Sequence, residues 1–227
     1  MSALLRLQKG DRLILATHNA GKVVEMAALL APFGVAVDSA AAYNLVAPAE
    51  TAADFIGNAT IKSKAATLAT GLPALADDSG LVVDALAGAP GIHSARWAER
   101  PAKIEGAERP AKIEGAERGA GVRDFAYAMQ RVQDEMALAA NKTRNARFIC
   151  ALSLSWVHDA AIKTAAYEGC VEGTIITPPR GTYGFGYDPI FLPDNHTQSF
   201  GEMLPSEKHA LSHRADAFAQ LIDLHFD

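Results

Sequence analysis

The spacing of apolar and polar residues along the first seventy positions predicts alternating strands and helices. Residues 12–17, "RLILAT", form a short apolar run typical of a buried strand, and residues 35–40, "VAVDSA", predict a second one. A helical pattern between them ends around Pro32 and Gly34. Another helical pattern covers residues 54–70. This order of elements is typical of an α/β fold.

The second half of the chain predicts a helix, a hairpin and a closing helix. Apolar residues recur at three- and four-residue steps over 122–140, which predicts an amphipathic helix. Residues 146–157, "ARFICALSLSWV", alternate as a strand does, and "HDAA" reverses the chain into a second strand over 162–175. Residues 206–226 predict one continuous helix. Helices alternating with strands early and a hairpin late predict an α/β fold with a mixed sheet.

Composition and charge narrow the class of protein. The formal net charge of −5 argues against nucleic acid and membrane surfaces as partners, since both favour a basic face. Cys150 and Cys170 both fall in strand-like runs, so we expect buried free thiols in a reducing compartment rather than a disulfide framework. The first twelve residues lack a long apolar segment. We therefore expect a cytoplasmic protein that forms a single domain over residues 1–227.

A tandem repeat interrupts this pattern. The stretch "RPAKIEGAE" occurs at 100–108 and again at 109–117. Two copies are too few for a solenoid. The repeat predicts a duplicated surface-loop insertion, with a lid over a site as the alternative.

The stretch "LATHNAGK", residues 15–22, is the first candidate for chemistry. A strand that enters a turn and then a helix exposes backbone N–H groups at the positive end of the helix, which favours phosphate. Asn19 is placed to cap the helix and Lys22 to add an ammonium. The stretch does not match a Walker A loop, and an ordinary capped helix remains the alternative.

Acidic residues and a glycine-rich stretch supply the other candidates. Asp77 and Asp78, in "LADDSG", follow an apolar run and predict an acidic turn. In "PPRGTYGFGYDP", residues 178–189, the glycines allow close approach of a ligand and two aromatic rings offer faces for a base, although a tight turn explains them equally well. Carboxylates next to phosphate need a cation between them, and Mg²⁺ fits that need.

Two histidines near the end of the chain lie one helical turn apart in the predicted closing helix. His209 and His213 have the spacing of a metal pair, but the H-E-x-x-H motif is absent. His213 and Arg214 fall outside the apolar stripe of that helix, so we expect a solvated pair. A polar hook for a ligand is the alternative.

The set of motifs resembles one known family, the inosine-triphosphatase-like or Ham1-like nucleoside-triphosphate pyrophosphatases. The matching stretches are "LATHNAGK", "ETAADFIGNATIKSKA", "ADDSGLVVDALAGAPGIHSAR", "GFGYDPIF" and "SEKHALSHR", in that order over residues 13–214. The resemblance implies Mg²⁺-dependent cleavage of ITP, dITP and XTP to a monophosphate and pyrophosphate. It also implies an elongated mixed sheet with flanking helices, two lobes around a central cleft, and a homodimer.

The same resemblance implies roles for individual residues. Asp78 is expected as the proton acceptor that activates water, with Lys22 assisting catalysis. Glu50, Asp78 and Asp77 are expected at the metal. The residues expected to contact substrate are Thr17, His18, Asn19, Ala20, Gly21, Lys22, Lys62, Ser79, Phe185, Gly186, Tyr187, Asp188, Lys208, His213 and Arg214.

Two positions depart from the family pattern. Ala49 and Gly57 stand where family members often carry acids, which predicts a higher Mg²⁺ requirement if either acid helps to bind metal. Two other functions remain open. One is a Maf-type pyrophosphatase acting on modified pyrimidines, and the other is a nucleotide-binding module without turnover.

Overall fold

The computed structural model describes residues 4–100 and 123–226. Apart from Arg100, the predicted repeat insertion lies outside these residues, as does Val122 in the predicted amphipathic helix.

Six strands form one sheet in the order β2-β1-β3-β4-β5-β6. They are β1 (Arg12–Leu15), β2 (Ala36–Ser39), β3 (Ala74–Val83), β4 (Asn145–His158), β5 (Ala161–Ile175) and β6 (Phe191–Pro193). β1 runs parallel to β2 and β3, whereas β6 runs antiparallel to β5. The predicted α/β fold with a mixed sheet is confirmed.

Six α-helices accompany the sheet within the described residues. They are α1 (Ala20–Leu30), α2 (Phe55–Thr70), α3 (Ser94–Trp97), α4 (Phe125–Leu138), α5 (Pro205–Leu211) and α6 (His213–His225). In the part of the chain that the structure describes, no helix has the length and apolar character needed to cross a membrane.

The helix boundaries follow the capping residues in the sequence. The Asp54 side chain caps α2 by accepting a hydrogen bond from the N–H of Gly57, and Gly71 ends the helix in the left-handed conformation at φ +71°. α1 continues into a short 3₁₀ turn that ends at Gly34, also left-handed. The predicted helix ends are confirmed at both positions.

A two-residue turn at Asp159 and Ala160 joins β4 to β5 and confirms the predicted hairpin. Both residues have positive φ, 49° and 59°, as a type I′ turn requires. Alanine is an unusual residue there, because its Cβ atom disfavours the left-handed conformation.

Helix α2 buries polar residues alongside apolar ones, and its polar contacts reach β4. Ser63 Oγ lies 2.9 Å from Ser153 Oγ and 2.8 Å from Ser155 Oγ on β4. Thr67 donates a hydrogen bond to the carbonyl oxygen of Ser155 (3.0 Å), while Leu68 is 78% exposed. α2 covers this face of β4 and the opposite face packs in the hydrophobic core, so most of the strand is buried on both sides.

The C-terminal segment forms two helices, so the prediction of one continuous helix is wrong. Ser212 breaks the helical run and caps α6, its Oγ accepting a hydrogen bond from the N–H of Ala215 (3.2 Å). Phe218 and Leu221 of α6 are buried. His209 and His213 belong to different helices, so the helical metal-pair spacing does not apply to them.

The chain divides into two compact units. Within the described residues, the first comprises 4–79, 149–170 and 211–226, and the second comprises 80–100, 123–148 and 171–210. The core of the first unit contains leucines of β1, β3 and β4 together with α6, and that of the second includes Phe148, Phe191 and Phe200 in ring contact. The single domain and the cleft between lobes stay predictions.

Contacts in the second unit hold together the two ends of the undescribed insertion. The N–H of Asp124 donates a hydrogen bond to the carbonyl oxygen of Ala98 (2.7 Å), and Arg100 forms a salt bridge with the Asp124 carboxylate at 2.6 Å. Glu99 and Arg123 form an antiparallel bridge. The chain therefore leaves and re-enters the described fold at one point.

The two cysteines differ in exposure. Cys150 is buried in the first unit, where burial raises the pKa of its thiol to about 12, and Cys170 is exposed. No disulfide joins them within the described residues. The expectation that both thiols are buried is wrong for Cys170, which lies on the more exposed part of β5.

Candidate functional site

The turn between β1 and α1 has the hydrogen bonds of a capped helix start. The Asn19 side chain accepts a hydrogen bond from the N–H of Lys22 (3.1 Å), which confirms the predicted cap. Thr17 Oγ1 accepts another from the N–H of Asn19 (3.2 Å), and His18 Nε2 lies 2.7 Å from the carbonyl oxygen of Leu45. The positive end of the α1 dipole therefore lies at this turn, an arrangement suited to phosphate.

Asp77 and Asp78 lie within a strand, so the predicted acidic turn is wrong. β3 runs without a break over Ala74–Val83. Because neighbouring strand residues point to opposite faces, the two carboxylates have different surroundings. Ser79 shares the face of Asp77 and donates a hydrogen bond to its Oδ2 (2.9 Å).

Asp77 is a buried carboxylate between two cations. Its Oδ2 lies 2.6 Å from Lys22 Nζ and 3.7 Å from Arg214 Nη2, and its side chain is 1% exposed. Burial alone would raise the pKa of Asp77, but the charges of Lys22 and Arg214 outweigh burial and hold the pKa well below its usual value. Asp77 therefore ties Lys22 on α1 to Arg214 on α6.

Arg214 is buried, so the expectation of a solvated His213–Arg214 pair is wrong. The Arg214 side chain is 5% exposed, and His213 is buried beside it in sequence. Arg214 Nη1 lies 3.3 Å from Glu25 on α1, and Nη2 lies 3.4 Å from Ser79 Oγ. A charged group can be buried here because two carboxylates compensate it.

The opposite face of β3 carries a second group of charges. Lys62 Nζ, on α2, lies 2.9 Å from Glu50 Oε1 and 3.3 Å from Asp78 Oδ1. Asn58 Nδ2 donates to Asp78 Oδ2 at 3.4 Å. Burial raises the pKa of Asp78; Lys62 opposes this effect and Glu50 adds to it. A carboxyl whose pKa is raised is a stronger base when ionised, which suits proton abstraction.

Glu50 and Asp78 are the carboxylates best placed to hold a divalent ion, since both approach one ammonium. Mg²⁺ takes one or two carboxylates and completes its shell with water and phosphate oxygens, so the pair fits its needs. Across residues 4–100 and 123–226, no group of three His, Cys, Asp or Glu side chains comes together as a metal site. Asp77, the third predicted ligand, faces away from this pair and contacts Lys22 and Arg214 instead.

Two polar residues of these groups were not singled out from the sequence. Asn58 precedes Lys62 by four positions and Glu25 follows Lys22 by three, so each lies on the same helix face as a predicted lysine. That spacing is the signal that would have found them. Asn58 is buried, and its Oδ1 accepts a hydrogen bond from the N–H of Ala52 (3.0 Å), which fixes the amide against Asp78.

The departure from the family at Gly57 matches the local packing. A Cβ atom at this position would overlap the Cβ of Ala52 and lie 2.9 Å from Asp54 Oδ1, the oxygen that caps α2. A glutamate would therefore displace the cap. Ala49, the other departure, is exposed.

The predicted residues of the second unit lie around one ion pair. Asp188 Oδ2 lies 2.5 Å from Lys208 Nζ and accepts a hydrogen bond from the N–H of Phe185 (2.7 Å). Lys208 Nζ lies 4.7 Å from the centre of the Phe185 ring, a cation–π contact, and Phe185 is 58% exposed. Gly184, at φ +74°, leaves no room for a Cβ atom against the Asp188 carboxylate. The loop thus presents the Phe185 ring to solvent.

Tyr187 is built into the core of its unit and does not offer the exposed stacking face that the sequence predicted. The residue is 3% exposed, and its hydroxyl donates a hydrogen bond to the carbonyl oxygen of Ser94 (2.8 Å). Its ring meets Phe125 edge-on, with centroids 5.6 Å apart. Burial raises the pKa of Tyr187, so the hydroxyl stays a donor.

Comparison with known proteins gives one consistent family. The model of the Ham1 family matches residues 13–224. A protein of Rhodospirillum centenum named dITP/XTP pyrophosphatase is 51% identical over 214 residues, which cover 94% of each chain. One of the same name from Agrobacterium fabrum is 46% identical over 222 residues, covering 93% of this chain and 94% of the relative. The structure of a HAM1 protein from Coxiella burnetii aligns with a TM-score of 0.78 at 34% identity, covering 93% of this chain and 96% of that one.

Proposed function

The chain belongs to the Ham1 family, and from that premise we propose that it hydrolyses deaminated purine nucleoside triphosphates. ITP, dITP and XTP would each give the nucleoside monophosphate and pyrophosphate. The observation that supports this best is that the two neighbouring aspartates of β3 have different partners. Asp78, with a raised pKa, shares Lys62 with Glu50, whereas Asp77 holds the lysine of the phosphate-binding turn.

In this proposal Asp78 accepts the proton of the attacking water. Water attacks the α-phosphorus, and pyrophosphate leaves with the bonding electrons. Lys22 and the N-terminal turn of α1, together with Thr17 through Gly21, hold phosphate oxygens, and Lys62 supplies a second ammonium. Glu50 and Asp78 would hold Mg²⁺. When bound, the ion supplies positive charge that neutralises the phosphate oxygens.

Base selection is proposed to use hydrogen-bond donors that suit a 6-oxo purine. A guanidinium has five N–H donors, so the contacts of Arg214 with Glu25, Ser79 and Asp77 leave others for an oxygen acceptor. Hypoxanthine and xanthine carry that acceptor, whereas adenine presents an amino group. A donor left without its partner discriminates strongly against the wrong base.

Phe185 through Asp188 and Lys208 are proposed to contact the base and sugar, with Phe185 providing the exposed ring. Asp188 and Tyr187 would act by shaping the loop, since their polar atoms are already bonded within the unit. The proposal also keeps the homodimer and the cytoplasmic location expected from the sequence.

Pyrophosphate release tests the reaction. ITP, dITP, XTP, GTP, ATP and dTTP are supplied with Mg²⁺ and, in parallel, with EDTA. We expect strong Mg²⁺-dependent release from the first three and little from the others. A preference for dTTP would favour a Maf-type activity, and no release from any nucleotide would refute the enzyme.

The variant Asp78→Asn tests the role of the base. We expect kcat to fall at least about 100-fold, the lower range for a general base, with nucleotide binding retained. Asp84→Asn is the matched control, because Asp84 pairs with Arg147 in the second unit, 2.9 Å away. Retention of one-tenth or more of the wild-type kcat by Asp78→Asn would contradict the assignment.

A further inference from the structure

The Lys62 ammonium lies between the two carboxylates that are proposed to hold metal. Its Nζ is 2.9 Å from Glu50 Oε1 and 3.3 Å from Asp78 Oδ1. We infer that Lys62 competes with the divalent ion for these carboxylates, so the ion has to displace the ammonium before both can bind it. The inference rests on the proposed metal role of Glu50 and Asp78 and adds a function for Lys62 that precedes substrate contact.

The contacts of Asp78 show why competition falls on Lys62. Both carboxylate oxygens already accept hydrogen bonds from the protein, Oδ1 from Lys62 and Oδ2 from Asn58. The Asn58 amide is fixed by its second hydrogen bond to the N–H of Ala52 and is buried. The ammonium, in contrast, ends a flexible four-carbon stem. Of the two donors, Lys62 is therefore the one that can leave.

Displacement would give the ammonium a second role. Lys62 stays attached to α2, so a positive charge released from Glu50 and Asp78 remains near them and can meet a phosphate oxygen. A nucleotide would then favour the displaced position of Lys62, and the ion would favour the same position. By linkage, each ligand would strengthen binding of the other.

A matched cation lies on the opposite face of β3. Lys22 Nζ is 2.6 Å from Asp77 Oδ2 and does not share Glu50 or Asp78 as a salt-bridge partner among the described contacts. Removing the Lys22 charge also removes one lysine–aspartate pair from this strand. It leaves the Glu50–Lys62–Asp78 group in place, which makes it the control for a general change in charge.

Mn²⁺ binding without nucleotide tests the inference, measured by electron paramagnetic resonance and isothermal titration calorimetry on wild type, Lys62→Met and Lys22→Met. Methionine keeps an unbranched stem without the charge. We expect Lys62→Met to lower the Kd for Mn²⁺ about tenfold, equivalent to about 1.4 kcal/mol, and Lys22→Met to change it less than about threefold. Asp78→Asn should weaken binding in the wild-type and Lys62→Met backgrounds alike. Lys62→Gln repeats the test if Lys62→Met loses the circular dichroism of the folded protein.

The results separate this inference from the proposed function. A Kd for Lys62→Met equal to or weaker than that of wild type, or equal tightening by Lys22→Met, would overturn the competition. Wild-type pyrophosphate release together with such a result would leave the enzyme intact and remove only this role of Lys62. Tighter Mn²⁺ binding in Lys62→Met with no wild-type turnover would support the competition and refute the pyrophosphatase.

Discussion

Replacing Asp77 by asparagine should lower the stability of the fold, whereas the same change at Asp78 should not. Asp77→Asn removes the shared partner of Lys22 and Arg214, whereas Asp78→Asn removes a charge whose ionisation burial opposes. Both substitutions keep the size and shape of the side chain. The two variants therefore compare how much each carboxylate charge contributes to stability at neighbouring positions of one strand.

The expected loss for Asp77→Asn follows from the two cations left behind. Removing one partner of a buried ion pair costs about 3–5 kcal/mol. We expect the lower end, roughly 3 kcal/mol, because Lys22 is 22% exposed and Arg214 keeps Glu25 as a partner. For a chain of this size that loss corresponds to a fall in Tm of roughly 6–12 °C. Asp78→Asn should leave Tm unchanged or raise it, since Lys62 keeps Glu50.

The pH dependence of these effects has opposite signs. The pKa of Asp77 is lowered by folding, so its stabilising contribution is present above about pH 4, the unfolded value, and is lost as the pH falls through the folded pKa. The pKa of Asp78 is raised by folding, so its ionisation costs stability as the pH rises through the folded value. The Tm deficit of Asp77→Asn should therefore shrink in acid.

Thermal unfolding followed by circular dichroism, in EDTA from near-neutral pH to below pH 4, measures both effects. Asp84→Asn, in a half-exposed pair of the second unit, is the control and should shift Tm by no more than about 2–4 °C, as a surface pair contributes 1 kcal/mol or less. Equal Tm losses for the Asp77 and Asp78 variants near neutral pH would refute the assignment of separate environments to the two faces.

Three further predictions concern the backbone. Ala160→Gly should raise the free energy of unfolding by about 1 kcal/mol and Gly71→Ala should lower it by a similar amount, because both positions have positive φ. Denaturant unfolding measures both changes. Changes of the same sign would contradict the backbone argument. Gly169→Ala should raise the KM for ITP at least about tenfold, or about 1.4 kcal/mol, because its Cβ would overlap the first turn of α6, the helix that carries Arg214. Gly173→Ala, whose Cβ meets β6, should lower Tm with a smaller effect on KM. Equal KM changes in the two variants would contradict this. Deletion of 109–117, one copy of the repeat, should leave Tm and pyrophosphate release unchanged. Contacts at the ends of the insertion hold those ends together, and halving the length of a loop changes the free energy of loop closure by only about 0.6 kcal/mol. Loss of release with an unchanged Tm would instead support a lid.

Much of the fold could be predicted because its signals are local. The caps at Asn19 and Asp54, the stop at Gly71 and the alternation of β4 each depend on residues close in sequence. The break at Ser212 also had a local signal, a serine before a new helical run, but the continuous apolar pattern on either side concealed it.

The aspartates of β3 could not be placed from sequence because their partners are distant. A buried strand with two adjacent acids violates the local pattern, and "DDSG" by itself favours a turn. Lys22 and Arg214 compensate Asp77 from α1 and α6, and Lys62 compensates Asp78 from α2. Arg214 appeared solvated for the same reason, since Glu25 lies 189 residues away in sequence.

A strand allows two neighbouring carboxylates to have different surroundings and therefore different roles. Adjacent side chains point to opposite faces of a strand, whereas on a helix they would be separated by only about 100°. Asp77 faces two cations and stays ionised, which keeps Lys22 and Arg214 in place. Asp78 faces a lysine already shared with Glu50, and burial raises its pKa. One strand thus holds a structural carboxylate next to the one that we propose is reactive, and the proposed chemistry depends on that separation.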